Sequence, residues 1–253
     1  MDKSRHTGKV AIVTGAANGI GLATALRMAK EGARVIGCDV NEHALAAARA
    51  TFAEQAVEVE LTKADVTSQD DVDRLVATAA DRVDVLANVA GIMDFFLPLG
   101  DVDDATWDRV LAVNLTGPMR LSRAVIPLML ARGGGAIVTV ASKASVSAGA
   151  SGVAYTASKH GVIGLVKSIA YFYGPQGIRS NAVLPGAVAT AIGATAAPRV
   201  PWAMERAQLS MATMNPTPAD PDTIATAVSW LASDEASNVN GATLLDDGGW
   251  GSA

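Results

Sequence analysis

Short apolar runs alternate with longer stretches of helical pattern along nearly the whole 253-residue chain. Runs rich in β-branched residues and bounded by turn residues predict strands, and the stretches between them predict helices. The predicted strands cover residues 10–14, 34–39, 57–63, 85–88, 136–141, 179–184 and 243–245. Such alternation is typical of βαβ units. We therefore predict an α/β fold, a doubly wound seven-stranded parallel sheet with helices on both faces.

No repeat, charged tail or linker interrupts the pattern, so residues 1–253 are predicted to form a single domain. Residues 186–220 are the exception, because a connection of this length in a compact domain usually has a function or is disordered. Its larger side chains are too apolar for a solvent-exposed linker. These side chains are Trp202, Met204, Leu209, Met211 and Met214. We predict a lid with a short helix beginning at Pro201; a surface excursion that covers core is the alternative.

Composition and charge exclude several classes of function. The net charge is −5 and no run of Lys and Arg occurs, which argues against nucleic acid and anionic membranes as partners. Cys38 is the single cysteine, so no intramolecular disulfide or cysteine-based zinc cluster can form. His6, His43 and His160 show no ligand spacing, and no metal site is predicted. The polar start and the absence of a long apolar run predict a cytoplasmic protein.

The first predicted strand runs directly into a glycine-rich turn and then a helix. Gly15, Gly19 and Gly21 would let backbone amides approach a pyrophosphate at the helix N-terminus. Asp39 ends the second strand, where a carboxylate can bind the adenosine ribose and would repel a 2′-phosphate. Because Asn18 and Val40 are neutral, NAD is favoured over NADP. A plain strand-to-helix link, and a turn that Asp39 begins, are the alternatives.

Tyr155 and Lys159 stand four residues apart, which on a helix places them on one face. A nearby ammonium group, together with a bound cationic nicotinamide, would lower the pKa of the phenol from about 10 towards neutrality. A phenol with such a pKa can exchange a proton with an alcohol or a ketone. The pair therefore predicts redox catalysis, although a tyrosine at an interface beside a solvated lysine would show the same spacing.

Motifs in a fixed order make the chain resemble the classical short-chain dehydrogenase/reductase family from about residue 9 to 249. Residues 14–21 match TGxxxGxG, and residues 88–91 match NNAG except at Val89. Asn114 matches the family's helix asparagine, and Ser142 precedes the YxxxK motif by thirteen residues. Residues 181–190 match NxVxPGxVxT, and residues 247–249 match DGG. The resemblance implies a Rossmann fold and a nicotinamide cofactor.

The resemblance also implies a role for each matching residue. Tyr155 would be the general acid and base, Lys159 would lower its pKa and bind the nicotinamide ribose, and Ser142 would hydrogen-bond the substrate oxygen. Asn114 would hold a water in a proton relay. The implied cofactor-binding residues are Thr14, Gly15, Asn18, Gly19, Ile20, Gly21, Asp39, Asp65, Val66, Asn88, Ala90, Gly91, Tyr155, Lys159, Pro185, Gly186, Val188 and Thr190.

Apolar residues indicate the polarity of the substrate and the oligomeric state. Met93, Phe95 and Trp202, with the catalytic Ser142 and Tyr155, are predicted to line a pocket for a lipophilic alcohol or ketone. The stretch 152–173 is apolar nearly all round, which favours a homo-oligomer over burial within one chain, and the family resemblance favours a tetramer.

These observations predict an NAD-dependent oxidoreductase that interconverts a secondary alcohol and a ketone. Two alternatives stay open at this point. One is a 3-oxoacyl thioester reductase that docks an acidic carrier through Arg120, Arg123 and Arg132. The other is an NAD-bound scaffold or sensor that does not turn over a substrate.

Overall fold

A computed structural model describes residues 4–192, 198–212 and 217–252. Within them seven parallel strands form one sheet in the order β3-β2-β1-β4-β5-β6-β7. The strands are β1 Val10–Thr14, β2 Arg34–Asp39, β3 Val59–Lys63, β4 Val85–Asn88, β5 Gly135–Val140, β6 Ile178–Pro185 and β7 Thr243–Asp246. The order reverses direction between β1 and β4, which leaves a crevice at their carboxyl ends. This is the Rossmann-like, doubly wound sheet that the sequence predicts.

Helices cover both faces of the sheet. They are α1 Gly19–Lys30, α2 Glu42–Glu54, α3 Gln69–Ala77, α4 Asp104–Leu111, α5 Gly117–Ala131, α6 Val153–Tyr173, α7 Pro201–Met211 and α8 Pro221–Ala232. Alternate side chains of β1 enter two separate cores, as the strand period of two requires. Ala11 and Val13 pack with α1, α2 and α8, whereas Val10 and Ile12 pack with α3 and α5.

The bounds of β1, β2 and β4 are the predicted ones, and those of the other four strands differ from the predictions by one or two residues. β3 begins at Val59 instead of residue 57, because Ala56 adopts a left-handed backbone (φ 51°) at the end of α2. The amide of Val57 then donates to the carbonyl of Phe52 and closes that helix. The apolar pattern alone did not reveal where the helix cap stopped and the strand began.

Polar side chains cap the N-termini of α2, α3, α4 and α8. Asn41, Ser68, Asp103 and Asp220 each accept a backbone N–H from the first turn of the following helix. The sequence also suggests that Asp71 completes a capping box with Ser68. Its carboxylate instead accepts the N–H of Asp65 at 2.9 Å and so fixes the loop after β3.

The predicted lid segment contains the expected helix. α7 begins at Pro201, whose missing N–H suits a first helical position. Residues 193–197 and 213–216 of the predicted lid, Met214 among them, lie outside the described residues.

The longest helix, α6, follows Gly152 and packs against β6. Its inner side chains include the buried Val162 and Val166, whereas Tyr171 and Phe172 are 77% and 65% exposed. Among the helices of the described residues, none has the length and apolar character needed to cross a membrane.

Candidate active site

A cavity of about 550 Å³ opens at the carboxyl ends of β1, β2 and β4. Ligands of doubly wound sheets bind in such a crevice, where the strand order reverses. Thirteen residues of the predicted cofactor and substrate sites line the cavity. They are Gly15, Asn18, Gly19, Ile20, Gly21, Asp39, Asp65, Val66, Ala90, Gly91, Met93, Phe95 and Thr190.

The glycine loop leaves no room for side chains. A Cβ atom on Gly21 would lie 2.0 Å from the carbonyl oxygen of Gly15, and one on Gly19 would lie 2.8 Å from Cγ2 of Thr190. Gly15 and Gly19 have positive φ values of 67° and 49°, which only glycine adopts readily. The loop therefore places bare backbone at the N-terminus of α1, an arrangement that fits a phosphate group.

The side chains of Thr14 and Asn88 connect the two central strands to neighbouring segments and do not line the cavity. The Thr14 hydroxyl accepts the backbone N–H groups of Val89 and Ala90 at 2.9 and 3.0 Å. Asn88 is buried, and its amide nitrogen lies 3.5 Å from the hydroxyls of Ser122 and Thr139. The structure therefore places both side chains outside the cavity lining.

Two carboxylates stand on the cavity wall beyond the glycine loop. Asp39 is half-buried at the end of β2, and its Oδ1 accepts the N–H of Asn41 at 2.9 Å. It thus begins a turn and faces the cavity at the same time. Asp65 is held by the backbone and hydroxyl of Thr67, at 2.8 and 2.7 Å.

Ser142, Tyr155 and Lys159 come together behind this cavity. The Ser142 hydroxyl accepts the N–H of Ala144 at 3.1 Å and forms a hydrogen bond with the Tyr155 phenol. Lys159 Nζ lies 5.5 Å from the centre of the Tyr155 ring and donates to the carbonyl of Val140 at 2.9 Å. A Cβ on Gly91 would stand 3.6 Å from that ammonium nitrogen. Lys159 therefore lies directly behind Gly91 in the cavity wall, next to the Tyr155 ring.

Burial governs the charge state of this pair. It raises the pKa of Tyr155 to about 12, and the hydrogen bond with Ser142 acts in the opposite direction. Burial also lowers the pKa of Lys159 to about 8. The sequence argument combined a neighbouring ammonium group with a bound cationic nicotinamide and predicts a lowered phenol pKa. In the chain by itself, the loss of hydration is the largest effect on the phenol and raises its pKa.

Asn114 lies in a π-helical turn, Ala112–Thr116, between α4 and α5. Its amide accepts the N–H of Ile92 and donates to the Ile92 carbonyl, both at 2.9 Å, and it also donates to Ser158 at 3.2 Å. Asn114 thus links the loop after β4 to Ser158 of α6.

Four other predicted residues lie away from the cavity lining. Pro185 ends β6, and Gly186 and Val188 follow it, with Gly186 in close approach to Asp247. Trp202 is 58% exposed on α7. A side-chain pattern could not reveal that the apolar Trp202 faces outwards.

The structure adds residues that the sequence argument missed. Asp94 is fully buried between the loop after β4 and the start of α6. Arg199 lies over the Phe95 ring at 3.8 Å, and the indole N–H of Trp250 donates to the carbonyl of Ser210 at 2.7 Å. The one signal for Asp94 was an acidic residue in an otherwise apolar run.

The sequence is similar to one protein family and to named relatives over nearly its full length. The sequence model of a family described as enoyl-(acyl carrier protein) reductase matches residues 15–251. A 3beta-hydroxysteroid dehydrogenase 2 from Eggerthella lenta is 39% identical, over 99% of each chain. The short-chain dehydrogenase/reductase olcF from Penicillium canescens is also 39% identical, over 96% of each chain.

Solved structures share the fold and part of the sequence. The crystal structure of a levodione reductase has a TM-score of 0.90 and 33% identity, over 98% of this chain and 100% of the other. A structure described as an NAD(P)-dependent gluconate 5-dehydrogenase from Beutenbergia cavernae, with NADP bound at low occupancy, has a TM-score of 0.88 and 36% identity over 100% of both chains.

Proposed function

This chain is an oxidoreductase of the short-chain dehydrogenase/reductase family, and we propose that it uses NAD to interconvert a secondary alcohol and a ketone. The observation that carries the proposal is the grouping of Ser142, Tyr155 and Lys159 behind a cavity whose glycine loop fits a pyrophosphate. The family as a whole uses NAD or NADP, so the choice between them belongs to the proposal.

The three side chains suit proton transfer at a substrate oxygen. In ketone reduction the Tyr155 phenol gives its proton to that oxygen, and in alcohol oxidation the phenolate takes it back. The Ser142 hydroxyl orients the oxygen and stabilises the charge that develops on it. The Lys159 ammonium favours the phenolate. The nicotinamide, when bound, exchanges the hydride with the substrate carbon.

The residues that would hold NAD follow the cavity wall. The backbone of residues 15–21 and the N-terminus of α1 would bind the pyrophosphate, and Asp39 would accept hydrogen bonds from the adenosine ribose. The Asp39 carboxylate would repel a 2′-phosphate at the same place, which supports NAD. Asp65 and Val66 would lie against the adenine.

Apolar side chains support a lipophilic substrate. The cavity lining includes Ile92, Met93, Phe95, Val113 and Ile192. Burial of such a surface favours an alicyclic or aromatic alcohol over a bare sugar. The name of the Eggerthella lenta relative, a hydroxysteroid dehydrogenase, is compatible with this choice.

A carrier-bound acyl thioester is the second candidate, favoured by the description of the matching family model. Two of the three arginines considered for carrier docking are engaged within the chain. Arg120 donates to the carbonyl of Thr67, and Arg123 donates to the side chain of Gln69 at 2.7 Å. These contacts weaken the case for docking.

A nicotinamide absorbance assay tests the proposal. Steroidal, alicyclic, aromatic and sugar alcohols, and a 3-oxoacyl thioester, would be offered with NAD(H) and NADP(H) side by side. We expect turnover of a lipophilic alcohol with NAD, and a loss of about 10²–10⁴-fold in kcat in Tyr155→Phe, because the variant lacks the exchangeable proton. Binding of NADH by the variant, followed by fluorescence, shows that its cofactor site is intact.

Three outcomes contradict parts of the proposal. A Tyr155→Phe variant with full activity would remove the assigned proton donor. A clear preference for NADP would overturn the role of Asp39 and direct attention to Arg109, a cation in the cavity lining. Tight NADH binding without turnover of any substrate would favour the sensor alternative.

We also propose a homotetramer in the cytoplasm. The exposed Tyr171 and Phe172 on α6 form an edge-to-face pair, with ring centres 5.1 Å apart, that would be better covered by another subunit. The free, buried thiol of Cys38 suits a reducing compartment. Sedimentation equilibrium of the wild type and Phe172→Ser, together with cell fractionation, would test these assignments.

A further inference from the structure

We propose that Asp94 is a positioning residue that ties the loop after β4 to the first turn of α6 and thereby places Tyr155 against the substrate. The inference rests on the proposed role of Tyr155. Asp94 is fully buried, and each of its carboxylate oxygens accepts a backbone N–H from α6 or its cap. Oδ1 accepts from Gly152 at 3.0 Å, and Oδ2 accepts from Tyr155 itself at 2.8 Å.

The start of α6 needs a partner from elsewhere in the chain. Its N-cap residue, Gly152, has no side chain, and the first turn contains no acidic residue. The first N–H groups of a helix lack partners within the helix, and they attract negative charge. Asp94, 58 residues earlier, supplies both the acceptors and the charge that a local Ser or Asp usually provides.

The loop and the helix also interlock sterically. A Cβ on Gly152 would lie 2.5 Å from the amide nitrogen of Leu97 and 2.6 Å from Oδ2 of Asp94. The N–H of Val153 donates to the carbonyl of Leu97 at 2.9 Å. The position of the loop therefore determines the position of the helix start, and with it the Tyr155 backbone.

The loop that Asp94 anchors carries the substrate-side wall of the cavity. Phe95 and Phe96 have φ values of 58° and 57°, a left-handed conformation that costs bulky residues free energy. The N–H of Phe96 donates to the Asp94 carboxylate, which helps to hold this backbone. Phe95 lines the cavity, with the Arg199 guanidinium on its ring. One carboxylate thus positions a wall residue and the catalytic tyrosine together.

The charge of Asp94 has a second effect on Tyr155. A carboxylate near a phenol disfavours the phenolate, and Asp94 contributes to the raised pKa of Tyr155. The other groups that face the phenol are the Ser142 hydroxyl and the Lys159 ammonium. Removal of the negative charge should lower the Tyr155 pKa. A purely structural defect would leave the midpoint of the pH profile where it is.

Two variants and a matched control test the proposal. Asp94→Asn keeps the shape, removes the charge and leaves one acceptor oxygen, because its amide nitrogen must face one of the two backbone N–H groups. Asp94→Ala removes both acceptors, and Asp101→Asn makes the charge-removing change at an exposed position of the same loop. We expect Asp94→Ala to lose about tenfold or more in kcat with KM for NAD within about twofold, because a small misplacement of a catalytic group is costly. In Asp94→Asn, the pH at the midpoint of the kcat profile for alcohol oxidation should fall by about 0.5–1 pH unit. Asp101→Asn should match the wild type.

Hydrogen exchange gives a readout that needs no activity. The amides of Gly152 and Tyr155 should exchange at least about tenfold faster in Asp94→Ala than in Asp101→Asn, because they lose their acceptor. Unchanged protection in Asp94→Ala, or an unshifted pH midpoint in Asp94→Asn, would overturn the proposal. If the wild type oxidises no alcohol, or if Tyr155→Phe is fully active, the proposed function fails while the exchange experiment still tests the anchor.

Discussion

Gly21 is a residue whose missing side chain determines the shape of the site. The carbonyl oxygen of Gly15 occupies the place of a Cβ, so the turn from β1 into α1 closes only around a hydrogen atom. The need for glycine at position 21 thus has a steric cause within the chain, which is independent of any cofactor.

Gly21→Ala should lower the stability and weaken NADH binding. The added methyl group must push backbone aside, and overpacking of this kind costs about 1–3 kcal/mol. Gly100→Ala is the matched control, because a Cβ there meets nothing within 4 Å. Thermal unfolding and NADH titration of both variants check the prediction, and an equal effect of the two substitutions would contradict it.

At the scale of a single element, α7 in the predicted lid is held by a contact from a distant part of the chain. Trp250 near the end of the chain is buried, and its indole N–H holds the carbonyl of Ser210 in the last turn of this helix. The ammonium group of Lys143, directly after Ser142, lies 5.5 Å from the centre of the Trp250 rings and donates to Ser147 at 2.9 Å. The end of the chain therefore connects α7 to the segment that carries Ser142.

Trp250→Phe should loosen α7 while the sheet keeps its stability. Loss of the hydrogen bond costs about 1 kcal/mol, which corresponds to roughly fivefold faster tryptic cleavage at the exposed Arg206. Trp202→Phe makes the same change at an exposed position of α7. Its cleavage rate should match that of the wild type, and its KM shows whether Trp202 contacts the substrate. Equal cleavage of both variants would count against the role of Trp250.

At the scale of the whole molecule, the N-terminal segment joins α1 to α8 through a buried polar cluster. Glu31 is fully buried and pairs with Arg5 and Arg27 at 3.4 and 3.3 Å. His6 Nε2 lies 3.0 Å from the hydroxyl of Ser229, which donates to Glu31. Burial lowers the pKa of His6 to about 4, although Glu31 acts in the opposite direction.

This cluster predicts a loss of stability in mild acid. The folded pKa of His6 lies below the unfolded value of 6.5, so the unfolded chain binds the proton more readily as the pH falls from about 6.5 towards 4. Between pH 7 and pH 5 the folded state should lose about 2 kcal/mol through His6. Urea unfolding at fixed protein concentration should show a smaller pH dependence in His6→Gln than in the control His43→Gln, an exposed site. The same pH dependence in both would refute the assignment.

Local patterns in the sequence were sufficient for the sheet and for many of the residues that line the cavity. Strand runs, helix caps and the four-residue spacing of Tyr155 and Lys159 depend on neighbours within one or two turns, and those interactions persist whatever surrounds them. The glycine loop and Asp39 were found for the same reason, because they stand where a strand ends.

Only the tertiary structure decided the properties that depend on remote segments. Asp94 meets Gly152, Trp250 meets Ser210, and Trp202 faces outwards, although no periodicity distinguishes these residues from their neighbours. The direction of the Tyr155 pKa shift also depends on how completely the folded chain excludes water from the phenol. Burial and long-range contacts arise from the packing of the whole chain, and a sequence window contains neither.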